Sequence, residues 1–156
     1  DIRLLSADDL KIPRMQEPFQ WQMDIGQRQK IGVIPNRVLG LEFNGKTSLY
    51  CLEADRGTMP VTRGRLDQTS FQRKLFAYEA TWSQNLHRTR YGWQRFRVLT
   101  VTSSSQRVQG MKEACQGLTH GHGLFLFLDM ANLTENGDIL RSQWLTCQLD
   151  KTEVLT

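Results

Sequence analysis

Residues 33–57 decide the fold, and they read VIPNRVLGLEFNGKTSLYCLEADRG. Asn44-Gly45 stands between two mainly apolar runs, and an Asn-Gly pair in that setting is the strongest short signal for a β-hairpin. We therefore predict two antiparallel strands, Val33 to Phe43 and Thr47 to Asp55, joined by a tight turn. A two-residue turn pairs Phe43 with Lys46, so the numbers of opposed residues sum to 89.

This register predicts a polar cluster at the open end of the hairpin. Asn36 falls opposite Glu53, and Ile34 falls opposite Asp55. Side chains alternate between the two faces of a strand, so Asn36, Glu53 and Asp55 share one face, and opposed Cβ atoms lie ~4.5–5.5 Å apart. Two carboxylates beside a carboxamide could hold Mg²⁺, which polarises a phosphodiester and lowers the pKa of an attacking water.

A lysine is expected to join this cluster. Residues 69–72 resemble a capping box that opens a helix, and Lys74 lies on the flank of the apolar stripe of that helix. A charged side chain there needs a partner, and it could orient water or stabilise developing charge. The alternative is structural, with Glu53 and Asp55 paired to Arg56 or Lys74 at a strand end. The stripe consists of Phe71, Leu75, Tyr78, Trp82 and Leu86.

The remaining elements predict a mixed sheet flanked by helices. Residues 1–18 are expected to be irregular, since Pro13 and Pro18 oppose a long helix. A second helix is expected from Ser103–Ser105 to about Gly117. Further strands are expected at Phe19 to Ile25, Phe96 to Thr102, Gly123 to Leu128 and Gln143 to Leu149. This alternation of strands and helices is typical of an α/β fold.

Composition indicates an ordinary folded domain. The 156 residues fit one domain, and 39% hydrophobic with 23% charged residues exclude a disordered chain. No apolar run approaches the ~18 residues of a membrane helix, and no signal peptide is evident. The chain starts at Asp1, so we expect a piece of a longer protein, located in the cytoplasm and without a membrane partner. Cys51, Cys115 and Cys147 form no C-x-x-C pair and are expected to be buried free thiols.

Positive charge is concentrated in one third of the chain. Residues 56–107 hold ten Lys or Arg and two Asp or Glu, whereas the rest holds ten basic and fourteen acidic residues. Such a local excess suits a polyanion such as DNA, with an ordinary solvated face as the alternative. The candidate DNA-binding residues are Arg56, Arg63, Arg65, Arg73, Arg88, Arg90 and Arg95.

Aromatic and histidine residues add further candidates. Trp82, Tyr91 and Trp93 lie within the basic segment and could stack on bases, although Trp82 fits the helix core better. His87 is expected at the surface or at the boundary between surface and core. His120 and His122 are not expected to bind a metal, because no third ligand is near them in the sequence. Arg97 lies on a predicted strand and is expected either to contact phosphate or to be structural.

Two segments of the chain resemble the replication-relaxation family. In that family a Pro-Asp precedes a hairpin, and Glu-x-Asp-Arg-Gly-Thr ends its second strand. Here Ile34-Pro35-Asn36 precedes the hairpin, and residues 53–58 read EADRGT. The pattern Lys74-Leu75-x-x-Tyr78 and the strand Phe96 to Thr102 are also similar. The resemblance covers residues 31–145.

This resemblance implies a restriction-endonuclease-like, PD-(D/E)XK core. Carried over, the catalytic Asp position is Asn36, the Glu is Glu53, and the Lys position is Asp55, with Lys74 as a migrated lysine. Asn36 lacks the negative charge of the family's Asp, so a domain that binds DNA with weak or no cleavage is expected. The resemblance also implies an upstream winged-helix part, and a role in plasmid replication or mobilisation alongside replication or conjugation proteins.

Three functions are weighed on these grounds. The leading one is a DNA-handling, nuclease-like domain of a plasmid or mobile-element protein, with little or no activity. The second is an active Mg²⁺-dependent endonuclease that uses Glu53, Asp55 and Lys74. The third is a protein-interaction module that docks on a relaxase, secretion or replication partner through apolar positions around Trp93. Nucleotide hydrolysis and acyl transfer find no motif in the sequence.

Overall fold

The structure is a computed structural model, which describes residues 1–10, 21–26, 29–64, 69–133, 137–148 and 151–155. These ranges contain nine strands, three α-helices and two 3₁₀ turns, so the mixed α/β class is confirmed. The strands are β1 (Ile2–Leu5), β2 (Trp21–Asp24), β3 (Lys30–Val33), β4 (Arg37–Phe43), β5 (Lys46–Ala54), β6 (Arg97–Thr102), β7 (Phe125–Asp129), β8 (Trp144–Thr146) and β9 (Thr152–Glu153). The helices are α1 (Phe71–Ser83), α2 (Leu86–Tyr91) and α3 (Ser105–Gln116), and the 3₁₀ turns are His122–Leu124 and Met130–Asn132.

The predicted hairpin is formed by β4 and β5 in the predicted register. Phe43 pairs with Lys46, and the ladder runs to Arg37 opposite Leu52. The turn residues Asn44 and Gly45 have φ angles of 50° and 73°. A type I′ turn requires this left-handed region at both positions, and Asn followed by Gly is the pair that adopts it most easily. The Asn-Gly turn therefore fixes which residues lie opposite each other along the whole hairpin.

The first hairpin strand is shorter than predicted. Residues 33–43 contain the end of β3 and the whole of β4, which are separated at residues 34–36. Pro35 has no N–H to donate to a ladder, so the pairing is interrupted there. β3 pairs instead with β2 in a separate two-stranded sheet, where Val33 lies opposite Trp21. The prediction of one continuous strand from Val33 to Phe43 was wrong.

The main sheet has seven strands in the order β1-β4-β5-β6-β7-β8-β9. The central strands β5, β6 and β7 are parallel, and the outer strands are antiparallel to their neighbours. α1 and α2 connect β5 to β6, and α3 connects β6 to β7. Both crossovers step in the same direction across the sheet, so their helices pack on the same face. We call the sheet edge where β5, β6 and β7 end the carboxyl edge, and the opposite edge the amino edge.

The main core lies between the sheet and its helices. Cys51, Val98 and Phe127 are buried on this face of the central strands, together with Leu75 of α1 and Met111 of α3. The second face buries a smaller cluster that includes Leu99, Leu126 and Trp144. On the second face of β1 the side chains of Ile2 and Leu4 are exposed.

α1 begins within the predicted capping segment, but its N-cap is Ser70 and not Thr69, and the last buried residue of its stripe is Thr81 and not Trp82. Ser70 Oγ accepts a hydrogen bond from the backbone N–H of Arg73. At the end of the stripe Thr81 is buried and accepts the indole N–H of Trp21 at 2.7 Å. Trp82 is 42% exposed. The prediction that Trp82 belongs to the core was wrong. Its neighbour Thr81 faces the core instead, where the Thr81 hydroxyl accepts the hydrogen bond of the buried Trp21 indole.

The helical segment is broken after Ser83. Asn85 has a φ of 56°, which interrupts the α-helical conformation before α2 begins. This break turns His87 inward, where its ring packs against Phe96 at a centroid distance of 5.3 Å. His87 is 2% exposed, so its predicted position at the surface or the boundary was wrong, and burial lowers the pKa of its imidazole.

The other elements differ from prediction mainly at their ends. The first eighteen residues were expected to be irregular, but residues 2–5 form β1 and residues 11–20 lie outside the described ranges. β6 and α3 lie where they were predicted, and α3 is capped by Ser104. Residues 123 and 124 belong to a 3₁₀ turn, and β7 starts only at Phe125. β8 is three residues long, and residue 149 is not described.

Candidate functional site

A cavity of about 180 Å³ lies at the carboxyl edge, beside the end of β5. The four candidate catalytic residues line it: Asn36 just before β4, Glu53 and Asp55 at the end of β5, and Lys74 in the first turn of α1. Arg56, one of the candidate DNA-binding residues, lines it as well. The hairpin register and the helix spacing therefore predicted this clustering correctly. The chemistry that these residues can perform depends on the partners that hold them.

Glu53 is only 2% exposed, and both of its carboxylate oxygens have donors. Lys74 Nζ forms an ion pair with Oε2, and the Tyr78 hydroxyl donates to Oε1 at 2.6 Å. Lys74 and Tyr78 are four residues apart on α1 and so project from the same face of the helix. Burial, together with nearby Cys51 and Glu53, raises the pKa of Tyr78 well above its ordinary value, so the phenol keeps the proton that it donates.

Asp55 is held by a second, separate set of donors. Arg107 Nη2 donates to Oδ1 at 2.8 Å, and Arg107 Nε and the Thr102 hydroxyl donate to Oδ2 at 2.5 and 2.6 Å. Burial opposes ionisation of this carboxyl, but the hydrogen bonds and charge of Arg107, with the Thr102 hydroxyl, outweigh it. The pKa of Asp55 therefore lies below its ordinary value. Arg107 also donates to the carbonyl of Met59 at 2.6 Å, so it ties the loop after β5 to α3.

Asn36 has a structural hydrogen bond. Its side-chain Oδ1 accepts the backbone N–H of Ala54 at 2.9 Å, just beyond the last paired residues of β4 and β5. The carboxamide thus extends the hairpin ladder by one bond. Either Asn or Asp can accept this hydrogen bond, so the backbone does not require Asn at this position.

The side chains at this cavity do not fit a divalent cation. Mg²⁺ needs oxygen ligands with free lone pairs and a net negative charge around it. Here the charge of Glu53 is neutralised by Lys74 and that of Asp55 by Arg107, and Asn36 contributes no charge. No group of three or more His, Cys, Asp or Glu in the described ranges is arranged to hold a metal ion. The carboxyl-edge cavity is therefore a set of internal ion pairs.

Three partners in this set were not among the candidate site residues. Tyr78 was assigned only to the core, although its position four residues after Lys74 indicates a shared helix face. Thr102 is the last residue of β6, which is parallel to β5, and Arg107 lies in α3 just after it. Because parallel strands end at the same edge, this position gave a usable signal that polar residues after β6 approach Asp55.

The predicted DNA-binding arginines do not form one surface. α1 has 13 residues and runs ~20 Å from the carboxyl edge to the amino edge. Arg56, Arg63 and Arg73 lie before or near its start, whereas Arg88, Arg90 and Arg95 follow its end. All of these are exposed except Arg73, which is half-buried. Arg65 lies outside the described residues.

Arg97 is structural, which was one of its two predicted roles. Its Nη1 pairs with Glu153 Oε2 at 2.6 Å, and its Nε donates to the carbonyl of Gly123 at 3.2 Å. These bonds connect β6 with β9 and with the turn before β7. The hydrogen bond and charge of Arg97 also lower the pKa of Glu153.

The exposure of the aromatic candidates differs from prediction. Trp93 is buried in the core and Tyr91 is half-buried against Trp21, whereas Trp82 is exposed. The surface that Trp93 lines exposes other apolar side chains, Trp82 and Val154, so a docking role there stays a prediction. Trp82 is the tryptophan that can meet a ligand, since Trp21 and Trp144 are buried as well.

The cysteines are buried free thiols, as predicted. Burial raises the pKa of Cys51, Cys115 and Cys147 above their ordinary values. A buried thiol with a raised pKa is a poor nucleophile and a poor metal ligand. The cysteines therefore add no catalytic group to the described residues.

Comparison with known proteins identifies no relative. No family model, no curated protein and no solved structure matches the chain. The resemblance to the replication-relaxation family therefore stays a prediction. None of the helices in the described part of the chain has the length and apolar character needed to cross a membrane.

Proposed function

We propose that this chain is a DNA-binding domain with a nuclease-like site in which internal ion pairs have replaced the metal. One observation carries the proposal: each carboxylate at the carboxyl-edge cavity is paired with a cation of the protein, Glu53 with Lys74 and Asp55 with Arg107. A cleaving site needs those charges for Mg²⁺, whereas a binding site gains from neutralising them, because unpaired carboxylates repel phosphate.

Two exposed arginines at this edge supply the attraction for DNA. Arg56 and Arg63 lie on the loop between β5 and α1, and no carboxylate among the described residues pairs with either. Uncompensated arginines release counterions from DNA when they contact its phosphates, and this release drives binding. The N-terminus of α1 points to the same edge and adds the favourable end of its dipole.

The order of elements supports a restriction-endonuclease-like core. A hairpin ending in Glu53 is followed by α1, which carries Lys74, and then by β6 parallel to the hairpin strand. The resemblance of residues 53–58 to the replication-relaxation family points to the same fold. We extend the proposal to the setting that this resemblance implies, a plasmid or mobile-element protein that handles DNA during replication or mobilisation.

Fluorescence anisotropy with a labelled DNA duplex tests the binding function. The native chain should bind with an affinity that falls steeply as salt is raised. Arg56→Gln with Arg63→Gln should weaken binding and reduce the salt slope by about 2, one for each lost phosphate contact. Arg3→Gln, an exposed arginine on β1, is the control and should change neither quantity. Absence of duplex binding even at low salt would overturn the proposal.

Calorimetric titration with Mn²⁺ and Mg²⁺ tests the loss of the metal site. The native chain should bind neither ion at submillimolar concentration and should leave supercoiled plasmid intact. Asn36→Asp combined with Arg107→Ala adds one carboxylate and frees another, so this variant should gain Mn²⁺ binding. The opposite outcome is metal binding and plasmid nicking by the native chain, with the metal binding abolished in Glu53→Ala. That outcome would replace the proposal with an active nuclease.

A second candidate function is supported by exposed apolar side chains at the β1 end of the sheet. Ile2, Leu4 and Phe43 share one face of β1 and β4 and are exposed by 43, 65 and 45%. An exposed apolar patch of this kind suits contact with a protein partner. A pull-down with replication and conjugation proteins that resists nuclease treatment and is lost in Leu4→Lys would favour this function. A capture that depends on DNA would count against it.

A further inference from the structure

A groove of about 1410 Å³ lies at the amino edge, away from the carboxyl-edge cavity. Its walls come from the start of β5, the end of α1, α2, the segment before β6, the turn before β7 and the residues after β9. Pockets for small molecules measure ~300–1,000 Å³. The groove is thus too large for a single small ligand and suits an extended one.

The charged residues that line the amino-edge groove are all basic. Lys46, Arg88, Arg95 and Arg97 line it, and none of its described lining residues is Asp or Glu. Arg97 is paired with Glu153, but no carboxylate of the described residues pairs with Lys46, Arg88 or Arg95. The chain has 16 acidic residues, so their absence from this lining leaves a groove complementary to a polyanion.

The amino-edge groove also presents an exposed aromatic face. Trp82, at the end of α1, lines the groove and is the exposed member of the four tryptophans. An exposed indole beside unpaired arginines is the combination with which proteins hold single-stranded nucleic acid, since unpaired bases stack on the ring while phosphates meet the cations. Bases in a duplex are already stacked and cannot use it.

A buried polar atom without a partner also belongs to the wall of the groove. His87 lines the groove, is 2% exposed, and its Nδ1 has no hydrogen-bond partner among the described residues. Buried polar atoms are nearly always hydrogen-bonded, so this nitrogen is an exception within the groove wall.

We propose that the amino-edge groove binds single-stranded nucleic acid, with Trp82 stacking on a base and Lys46, Arg88 and Arg95 contacting phosphates. This inference rests on the proposed DNA-binding function and adds a second site with a different form of substrate. The two sites lie at opposite ends of α1, so a separated strand and a duplex can be held at different edges of one domain.

Intrinsic fluorescence tests the stacking contact. A dT oligomer of about 15 nucleotides should quench the tryptophan emission of the native chain at low salt. Trp82→Phe should remove most of the quenching, because Trp21 and Trp144 are buried away from the groove and Trp93, which also lines it, is only 5% exposed. Trp82→Ala should weaken binding about tenfold, as loss of one base stack does. Undiminished quenching in Trp82→Phe would overturn the proposal, and so would equal quenching by inorganic tripolyphosphate.

Two double variants of equal net charge locate the site. Arg88→Gln with Arg95→Gln should weaken binding of the single strand about tenfold or more and leave duplex binding nearly unchanged. Arg56→Gln with Arg63→Gln should do the reverse. If only the second pair affects the single strand, the groove proposal is overturned while the proposed function stands. If the native chain binds neither form of DNA, both are overturned. Circular dichroism confirms that each variant is folded.

Discussion

At the scale of single residues, the carboxyl-edge cavity depends on charges that cancel in pairs. Buried Glu53 is bonded to Lys74 and Tyr78, and half-buried Asp55 is bonded to Thr102 and Arg107. A buried charge without its partner is strongly destabilising, whereas removal of both charges can be nearly neutral. These residues should therefore control stability, and their roles can be measured without a substrate.

Lys74→Met is expected to destabilise the chain by about 2 kcal/mol in urea unfolding, because Glu53 stays buried without a cation. The variant Glu53→Gln with Lys74→Met removes both charges and should recover at least half of that loss. This matched pair separates the missing ion pair from the altered packing. A Lys74→Met variant as stable as the native chain would contradict the assignment of Lys74 to an internal ion pair.

Asp55→Asn is expected to cost about 2 kcal/mol at pH 7, since it removes hydrogen bonds from a charged donor. The folded-state pKa of Asp55 lies below the unfolded value of about 3.9. The carboxylate therefore stabilises the fold above that value, and the contribution is lost as the pH falls through the folded-state pKa. Urea unfolding between pH 7 and pH 3 should show the gap to Asp55→Asn closing below about pH 4. Asp24→Asn, at an exposed site, is the control and should show no such gap.

The residues that could be predicted at this scale are those fixed by local rules. The Asn44-Gly45 turn placed Asn36, Glu53 and Asp55 together because strand pairing follows from the turn. Arg107 is 52 positions from Asp55 and meets it only after β6 pairs with β5 and α3 packs on the sheet. Such a contact depends on the whole topology, so hairpin and helix spacing could not supply it.

At the scale of elements, a buried hydrogen bond connects the small β2–β3 sheet to α1. The indole N–H of Trp21 donates to Thr81 Oγ1, and both side chains are buried. Periodicity located the apolar stripe of α1 but could not show which residue ends it. That choice depends on Trp21, which belongs to another element and brings a donor that needs an oxygen.

Thr81→Val should leave the Trp21 N–H buried without an acceptor and cost about 1–2 kcal/mol in urea unfolding. Thr81→Ser keeps the hydroxyl and should recover most of that loss. Hydrogen exchange should show faster exchange in β2 and β3 of the Val variant, with the central strands less affected. Equal stability of the Val and Ser variants would show that this hydrogen bond does not hold the small sheet to α1.

At the scale of the whole molecule, the fold divides a basic segment between two edges. The composition of residues 56–107 predicted contact with a polyanion such as DNA, and α1 carries the chain from one edge of the sheet to the other within that segment. Sequence shows how much charge a segment holds, and the crossover decides where the charge lies. The two groups of arginines are therefore separated by ~20 Å, the length of α1.

Independent binding at the two edges is the expected consequence. The affinity for a labelled dT oligomer should change less than about twofold when the chain is first saturated with an unlabelled duplex, because the sites are further apart than the Debye length of about 8 Å. Anisotropy of the labelled strand measures this directly. Competition between duplex and single strand would mean that one surface serves both.

The three buried thiols can report how often the folded domain opens. Cys51, Cys115 and Cys147 lie under the helices, and burial raises the pKa of each, so a thiol reagent meets them only when the domain opens. The rate at which the reagent labels the native chain then measures how often the core opens, and each of the three cysteines gives this rate at its own position in the core. A cysteine introduced at exposed Ser48, on the wall of the amino-edge groove, would be the reactive thiol of the folded chain and would accept a probe without removal of the others.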